Sequence, residues 1–235
     1  MAPPPRQSEA PPDPAERPRS RARWHAYYSE KRIVHQWMQV DLLKNLPARR
    51  VLEIGPHLGL VTAMLATAGY LVSTLDFEGE EPRHGAERHI KADLRALDPA
   101  AISGFDAILI CETLEHIPFD EAAEVLRKLA GAGAPWLILS VPYEGPQLGL
   151  SVYLNPFLRP RLRFFRKLHF LRRFPPPKGS AWSHHRWEIG YRDYPVRRLE
   201  KTVRAAGFAI TRRTFTSGCR SIFLVCRNES VQARA

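Results

Sequence analysis

The sequence predicts an α/β protein: a mostly parallel seven-stranded sheet with helices on both faces and an antiparallel strand at the C-terminal end. Three observations carry this. Short β-rich runs alternate with helical stretches from about residue 50 to residue 141. The first four runs each end on glycine or a polar residue, as parallel strands do where a ligand crevice opens. The last two runs follow one another with only a turn between them, which suits antiparallel neighbours.

With 235 residues, 44% hydrophobic and 25% charged, the chain has the composition of one globular domain with additions. Its first 23 residues, MAPPPRQSEAPPDPAERPRSRAR, alternate proline with charge. Ordering them would lose backbone entropy without burial in return, so they predict a disordered tail ahead of a domain over 24–235. The tail lacks the apolar stretch of a signal peptide, and no run approaches the roughly 18 apolar residues of a membrane span. Cys111, Cys219 and Cys226 stand in no metal-ligand spacing and fit a reducing compartment. The expectation is a cytoplasmic protein.

A helix is predicted over His25 to Leu46, and Val51 to Ile54 reads as the first strand. Leu60 to Ala68 is helical in composition and stops at Gly69, a natural C′ residue. Tyr70 to Leu75 is a strand ending in Asp76, His89 to Ala92 a weaker one ending in Asp93, and Phe105 to Ile110 a strong one ending in Cys111-Glu112. Phe119 to Ala130 places Ala122, Val125, Leu126 and Leu129 on one helical face. Trp136 to Val141 is the fifth strand, Val196 to Ala206 a helix closed by Gly207, and Phe208 to Phe215 with Ser221 to Cys226 the final pair.

In an open α/β sheet, ligands sit beyond the carboxyl ends of the strands at the point where strand order reverses. Gly55, Asp76, Asp93 and Cys111-Glu112 all fall at such ends. Asp76 follows the glycine loop by about 20 residues, where a carboxylate accepts both hydroxyls of a ribose. The ordered set asks for an adenosine-containing ligand.

Glu53-Ile-Gly-Pro-His-Leu-Gly59 resembles motif I of the class I S-adenosylmethionine-dependent methyltransferases, whose pattern is acidic-x-Gly-x-Gly-x-Gly. Leu75-Asp76 is similar to that family's ribose-holding strand end, and Ala92-Asp93-Leu94 to the acidic position near the adenine. Phe105-Asp-Ala-Ile-Leu-Ile-Cys-Glu-Thr-Leu-Glu-His-Ile-Pro118 resembles the segment after strand four in its small-molecule, type 11-like branch. The resemblance implies a Rossmann-like methyltransferase fold with S-adenosyl-L-methionine as methyl donor. It implies that Glu53, Gly55, His57 and Gly59 form the loop at the methionine part, Asp76 holds the ribose, Asp93 and Leu94 meet the adenine, and Cys111 and Glu112 line the strand-four side. The departure is His57, where the pattern has its second glycine. A pyrophosphate needs close backbone approach and excludes a side chain there, whereas the methyl donor has no phosphate, so His57 favours the donor over a dinucleotide.

Two other chemistries fit less well. A short-chain dehydrogenase needs Tyr-x-x-x-Lys well after the glycine loop, and Tyr27 with Lys31 precedes it. A nucleic-acid amino-methyltransferase would resemble Asn/Asp-Pro-Pro-aromatic after strand four, where this chain has Cys111-Glu-Thr-Leu-Glu-His116. That argues against base-amine methylation and makes nucleic acid the less favoured substrate, while ribose or other methylation of RNA stays open.

A sulfonium methyl is already activated, so the protein mainly aligns the acceptor and excludes water. If the acceptor is a hydroxyl, a histidine is the natural proton acceptor. The candidates are His116, just past strand four, and His184 or His185 in Ala181-Trp-Ser-His-His-Arg-Trp-Glu-Ile-Gly-Tyr191. No metal is expected, because adjacent histidines do not converge on one ion without further spaced ligands.

The net charge of +11 is concentrated. Between Glu144 and Glu188 there is no acidic residue, while Arg159, Arg161, Arg163, Arg166, Lys167, Arg172, Arg173, Lys178 and Arg186 fall there. Leu158, Leu162, Phe165, Leu168 and Leu171 recur at spacings of three and four, which predicts a basic amphipathic helix inside an insertion at about 145–180. Three readings stand: a lid packed on the core, a peripheral contact with anionic membrane that gives access to a lipid- or glycan-linked acceptor, or an RNA-binding surface. The enzyme reading is a methyltransferase acting on a small-molecule or lipid-linked acceptor. Its alternative is a non-catalytic module of the same fold that binds membrane or RNA.

Overall fold

The computed structural model describes residues 16–77, 84–176, 184–216 and 218–232. The chain forms two compact units, through Ile33 and from Val34 onward. The tail expected to lack order lies outside the described residues as far as residue 15, and residues 16–23 are helical. They open α1 (Glu16–Tyr27), where Pro18 falls in the first turn and needs no N–H partner. The single helix expected over His25 to Leu46 is divided. Tyr28 and Ser29 are non-helical, and Ser29, a favoured helix-start residue, precedes α2 (Glu30–Asp41) with Glu30 in its positive first turn.

The sheet is β3-β2-β1-β4-β5-β9-β8. Its strands are β1 (Arg50–Ile54), β2 (Leu71–Asp76), β3 (Ala86–Lys91), β4 (Ala107–Cys111), β5 (Trp136–Pro142), β8 (Phe208–Phe215) and β9 (Ser221–Asn228). β1 to β5 are parallel, and β9 inserts antiparallel between β5 and β8. All seven runs read as strands are strands, within a few residues at their ends.

Helices cover both faces. Leu52, Ile54, Ile108 and Ile110 join one core cluster with α4 (Phe119–Gly131) and α5 (Val196–Ala205). Val51, Leu109, Ile138 and Phe223 join a second with Leu43 and with Val61 and Leu65 of α3 (Leu60–Thr67). Because β4 is buried on both faces, its sequence shows no alternation. The α4 face expected from the spacing is the buried one. Residues 230 onward aside, the C-terminal pair is locked by Asn228, whose amide donates to the carbonyls of Ala130 and Ala134 at 2.8 and 3.1 Å.

The basic insertion is not a helix. It is a two-stranded antiparallel hairpin, β6 (Gln147–Asn155) and β7 (Leu158–Lys167). The physical reason is in the sequence: Leu158-Arg-Pro-Arg-Leu-Arg-Phe164 alternates with period two, and Pro160 would break a helix interior. Spacings of three and four among its leucines coincide with helical periodicity but do not set it. Val152 pairs with Leu162 and Leu150 with Phe164, so these apolar side chains share one face, and Ser151 with Arg163 and Tyr153 with Arg161 share the other. Leu148, Leu150, Val152, Leu162 and Phe164 are each more than 60% exposed, so this face is not a lid packed on the core.

The hairpin is fastened at its root. Lys167 Nζ and His169 Nδ1 lie 2.6 and 3.0 Å from the Glu144 carboxylate, and Gln147 Nε2 donates to the Cys219 carbonyl at 2.8 Å. Glu144 N–H donates to Ile189 O at 2.7 Å. Gly190, at φ 110°, lies so close to this strand exit that an added Cβ would run into the backbone of Glu144 and Gly145. Gly190→Ala should therefore cost about 2–3 kcal/mol in denaturant unfolding, since both the left-handed backbone and the close approach exclude a side chain.

Candidate functional site

The site begins at the reversal of strand order, between β1 and β4. The loop after β1 turns by left-handed residues: Gly55 at φ 73°, His57 at φ 50° and Gly59 at φ 77°. Gly55 N–H donates to Leu75 O at 2.9 Å, which seats the turn against β2. On its other side an added Cβ would meet Thr113 Oγ1 at 2.5 Å, so the crevice wall excludes any side chain at residue 55. His57 tolerates a Cβ because it is exposed at the outer bend. Gly59 then leads into α3 with no side-chain cap, leaving that turn's first amides to other acceptors.

Glu53 supports this loop from beneath. It is buried at 4% exposure, and its Oε2 accepts the Thr62 hydroxyl of α3 at 2.5 Å. Burial pushes its carboxyl up to about 7, against which the Thr62 hydrogen bond acts only in part. The side chain ties β1 to α3 across the turn, so its placement is structural.

Asp76 and Asp93 stand at the ends of neighbouring strands, as expected. Asp76 closes β2, and its Oδ1 accepts from Phe77 N–H at 2.8 Å. Asp93 caps the short turn Leu94–Ala96 by accepting from Arg95 N–H at 2.9 Å, and pairs with the Arg95 guanidinium at 2.7 Å. That hydrogen bond is the main reason its carboxyl is held below the usual range. Leu94, which opens the same turn, is half-buried.

The strand-four end divides. The side chain of Cys111 packs into the core. It is buried in the cluster of Leu109 and Ile138, with Sγ 3.9 Å from the Ile138 carbonyl, and burial raises its thiol pKa far above the ordinary value. A strand buried on both faces offers no alternation by which sequence could assign it a side. Glu112 is half-buried in left-handed backbone at φ 52°, an uncommon conformation for a residue with a Cβ. Its Oε1 accepts the Ser140 hydroxyl from β5 at 3.0 Å, and burial raises its carboxyl to about 7.

Beyond it lies the turn Leu114–His116. The expected histidines differ here: His185 is half-buried with its ring centroid 5.0 Å from that of His116, while His184 is exposed. Residues 181–183 lie outside the described residues. Sequence reasoning passed over Glu115, which is 0% exposed, and Glu188, whose Oε1 is 2.7 Å from His185 Nδ1. An acidic residue between Leu114 and Ile117 in an otherwise apolar turn was the available signal for Glu115. Ligand atoms of Glu115, His116 and His185 lie within 4.8 Å of one another.

This strand order and the crevice at its reversal are those of the class I methyltransferase fold. No family model matches the chain. Among curated proteins it is similar to the ubiquinone biosynthesis O-methyltransferases of Bordetella parapertussis, 28% identical over 144 residues, and Marinobacter nauticus, 30% identical over 131 residues. Those matches cover 54% and 48% of this chain and 58% and 54% of the relatives, so the chain spans little more than half their length. Two solved structures share the fold. The magnesium protoporphyrin IX methyltransferase of Synechocystis PCC 6803 with bound S-adenosylhomocysteine is 19% identical with a TM-score of 0.55, over 89% of this chain and 94% of that one. A glycopeptide N-methyltransferase complexed with the same product is 14% identical with a TM-score of 0.56, over 86% and 91%.

The buried Glu53 sets a pH dependence. Its folded pKa lies above the ordinary carboxyl value of 4.5, so the folded state holds the proton where the unfolded chain has lost it. Stability from this group is complete below pH 4.5 and is lost as pH rises to about 7, a change of about 3 kcal/mol. In ligand-free protein, Glu53→Gln should shrink the fall in unfolding free energy between pH 4.5 and 8 by about that amount. Denaturant curves across the range test it.

Proposed function

We propose that the protein is an S-adenosylmethionine-dependent O-methyltransferase of a small-molecule acceptor. One observation carries the reading: the left-handed turn Gly55 to Gly59 opens at the β1/β4 reversal with Asp76 at the adjoining strand end. The names of the curated relatives support oxygen as the methylated atom.

The residues suit the donor. The turn excludes a side chain at Gly55, while the amides that open α3 suit the carboxylate of an amino-acid moiety. Asp76 would accept the ribose hydroxyls, with Asp93 and Leu94 at the adenine edge. Asp93 fills this role while still capping its turn, because a carboxylate has lone pairs to spare. When bound, the donor supplies a methyl group already activated on a sulfonium. Glu112 walls the strand-four side, held by Ser140. His116 and His185 stand beside it to take or relay the acceptor's proton, and the buried Trp187 and Leu114 keep water from that edge. His184, being exposed, is the least suited of the three histidines to proton transfer.

The hairpin favours a lipid-linked acceptor reached at an anionic membrane. Its apolar face is exposed along both strands, Phe157 at the tip is 91% exposed, and Arg166 shares that face while Arg161 and Arg163 project from the opposite one, in a stretch with no acidic residue. Apolar insertion beside basic side chains is the combination that binds anionic bilayers, with about 1 kcal/mol for each cation near the surface. Among the described residues no helix is long and apolar enough to cross a membrane.

Asp76→Ala should abolish S-adenosylmethionine binding in calorimetry while leaving circular dichroism unchanged; retained affinity would remove the donor assignment. Sedimentation with phosphatidylserine-rich vesicles at low salt tests the hairpin. Binding should drop at least about tenfold in a Leu150→Asp, Leu162→Asp double variant, and equal binding by both proteins would sink the membrane contact.

A further inference from the structure

The turn between β8 and β9 holds a cation at the crevice end of the sheet. Arg220 immediately precedes β9, whose first residue, Ser221, pairs with Pro142 at the carboxyl end of β5. The Arg220 carbonyl accepts Tyr143 N–H at 2.8 Å, which fixes it to the β5 exit. The turn itself is pinned from within. Thr216, 4% exposed, accepts Arg220 N–H and Ser221 N–H on Oγ1 at 3.0 and 3.1 Å, and its carbonyl accepts Cys219 N–H at 2.7 Å. Cys219 sits in left-handed backbone at φ 49°, which is costly for a residue with a Cβ, and its carbonyl is held by Gln147 Nε2. A strained residue fastened on both sides fixes where the next one starts.

The Arg220 side chain is exposed, and among the described residues its guanidinium makes no hydrogen bond, ion pair within 4.0 Å or ring contact. By contrast, Arg186 is engaged by the His116 carbonyl and Arg213 by Glu200. Arg220 nonetheless acts on the crevice. Burial raises the Glu112 carboxyl, and against it work the Ser140 hydrogen bond, then the charge of Arg220, and more weakly that of His185. Strand order decides which anion such a cation can meet. The amino-acid end of the donor belongs at the turn after β1, and β9 lies three strands from β1 in the order β1-β4-β5-β9. That is about 14 Å, too far for the donor's carboxylate. The end of β4, with Glu112 and His116, is two strands away, about 10 Å. The Arg220 side chain spans part of this gap, so an anion it holds lies about one ring's width from a hydroxyl placed at His116. A single negative charge suits that corner better than a phosphate dianion, because the Glu112 carboxyl is close by.

We propose that Arg220 selects the acceptor: a hydroxy acid whose carboxylate pairs with the Arg220 guanidinium while its hydroxyl, about a ring's width away, lies at His116. A planar guanidinium meets a carboxylate through two parallel N–H···O bonds, so it fixes orientation as well as charge. The role of this acid as methyl acceptor rests on the methyltransferase reading, whereas its capture by Arg220 does not.

The test is calorimetric titration of 4-hydroxyphenylacetate, and of its neutral isostere 4-hydroxyphenylacetamide, into the full chain with and without S-adenosylhomocysteine. Wild type should bind the acid at least about tenfold more tightly than the amide. Arg220→Gln should bring the two affinities together while S-adenosylhomocysteine affinity and circular dichroism stay as in wild type. Arg220→Lys keeps the charge but not the fork, and should retain only part of the preference. Equal affinity of wild type for acid and amide, binding of neither, or a preference that persists in Arg220→Gln would overturn the assignment. S-adenosylhomocysteine titrated alone separates the two ideas. If it binds but the acid preference is absent, only the role of Arg220 is refuted; if it does not bind while the preference still depends on Arg220, only the methyltransferase reading is refuted.

Discussion

Three hydrogen bonds from Arg186 and Trp187 to the carbonyls of Glu115, His116 and Ile117 join stretches 70 residues apart, and the functional end of the sheet depends on them. Trp187 is 1% exposed, so its indole N–H must find an acceptor, and the Ile117 carbonyl provides it. Burial of the ring fixes the backbone on either side. His185 is thereby set against His116, and Ile189 is set to receive Glu144 N–H at the exit of β5. One anchored aromatic residue thus positions both the edge of the crevice and the root of the hairpin.

The same end of the sheet concentrates carboxyl groups in a strongly basic protein. Glu112 and Glu115 are carried on one short segment, and Glu188 faces it through His185. Taking such carboxylates out of water costs several kcal/mol apiece unless protons or cations accompany them. Ser140 relieves Glu112 in part, but among the described residues the Glu115 oxygens have no comparable side-chain donor. Together with the left-handed backbone of Glu112, this departs from what a stability-optimised strand end would carry, and departures of that kind gather at sites of function.

The sheet was legible in the sequence because its strands are short, apolar and punctuated: Leu71 to Asp76 and Ala107 to Cys111 can be little else. The glycine turn was legible for a similar reason, since left-handed backbone has few residue choices. What escaped had no local signature. The burial of the Cys111 side chain in the core was not readable, because a doubly buried strand has no alternation to orient it. The cluster at Glu115 needs residues 70 apart to meet, which spacing along the chain cannot show. The hairpin is the instructive error. Leucines at 158, 162 and 168 satisfy a helical count, yet the arginines at 159, 161 and 163 keep strict period two through Pro160, and the proline decides between them.

The stability of the hairpin follows from where it is fastened. A two-stranded ribbon is marginal alone in water, so β6 and β7 depend on their root: Lys167 and His169 on Glu144, and Gln147 on the Cys219 carbonyl. Farther out, Leu150, Val152, Leu162 and Phe164 gain nothing from the core, since each remains mostly exposed. Four such side chains would together stabilise the protein by several kcal/mol if buried, at 1.5–3 kcal/mol for each in rough terms. A sequence selected only for folding would place polar residues there, as the opposite face does at Ser151, Arg161 and Arg163. The asymmetry between the faces locates the unused burial energy outside the chain, and the root that holds the ribbon also leads through Ile189 to Glu188 and His185. The apolar face is therefore connected to the edge of the crevice at His185 by only a few residues of backbone.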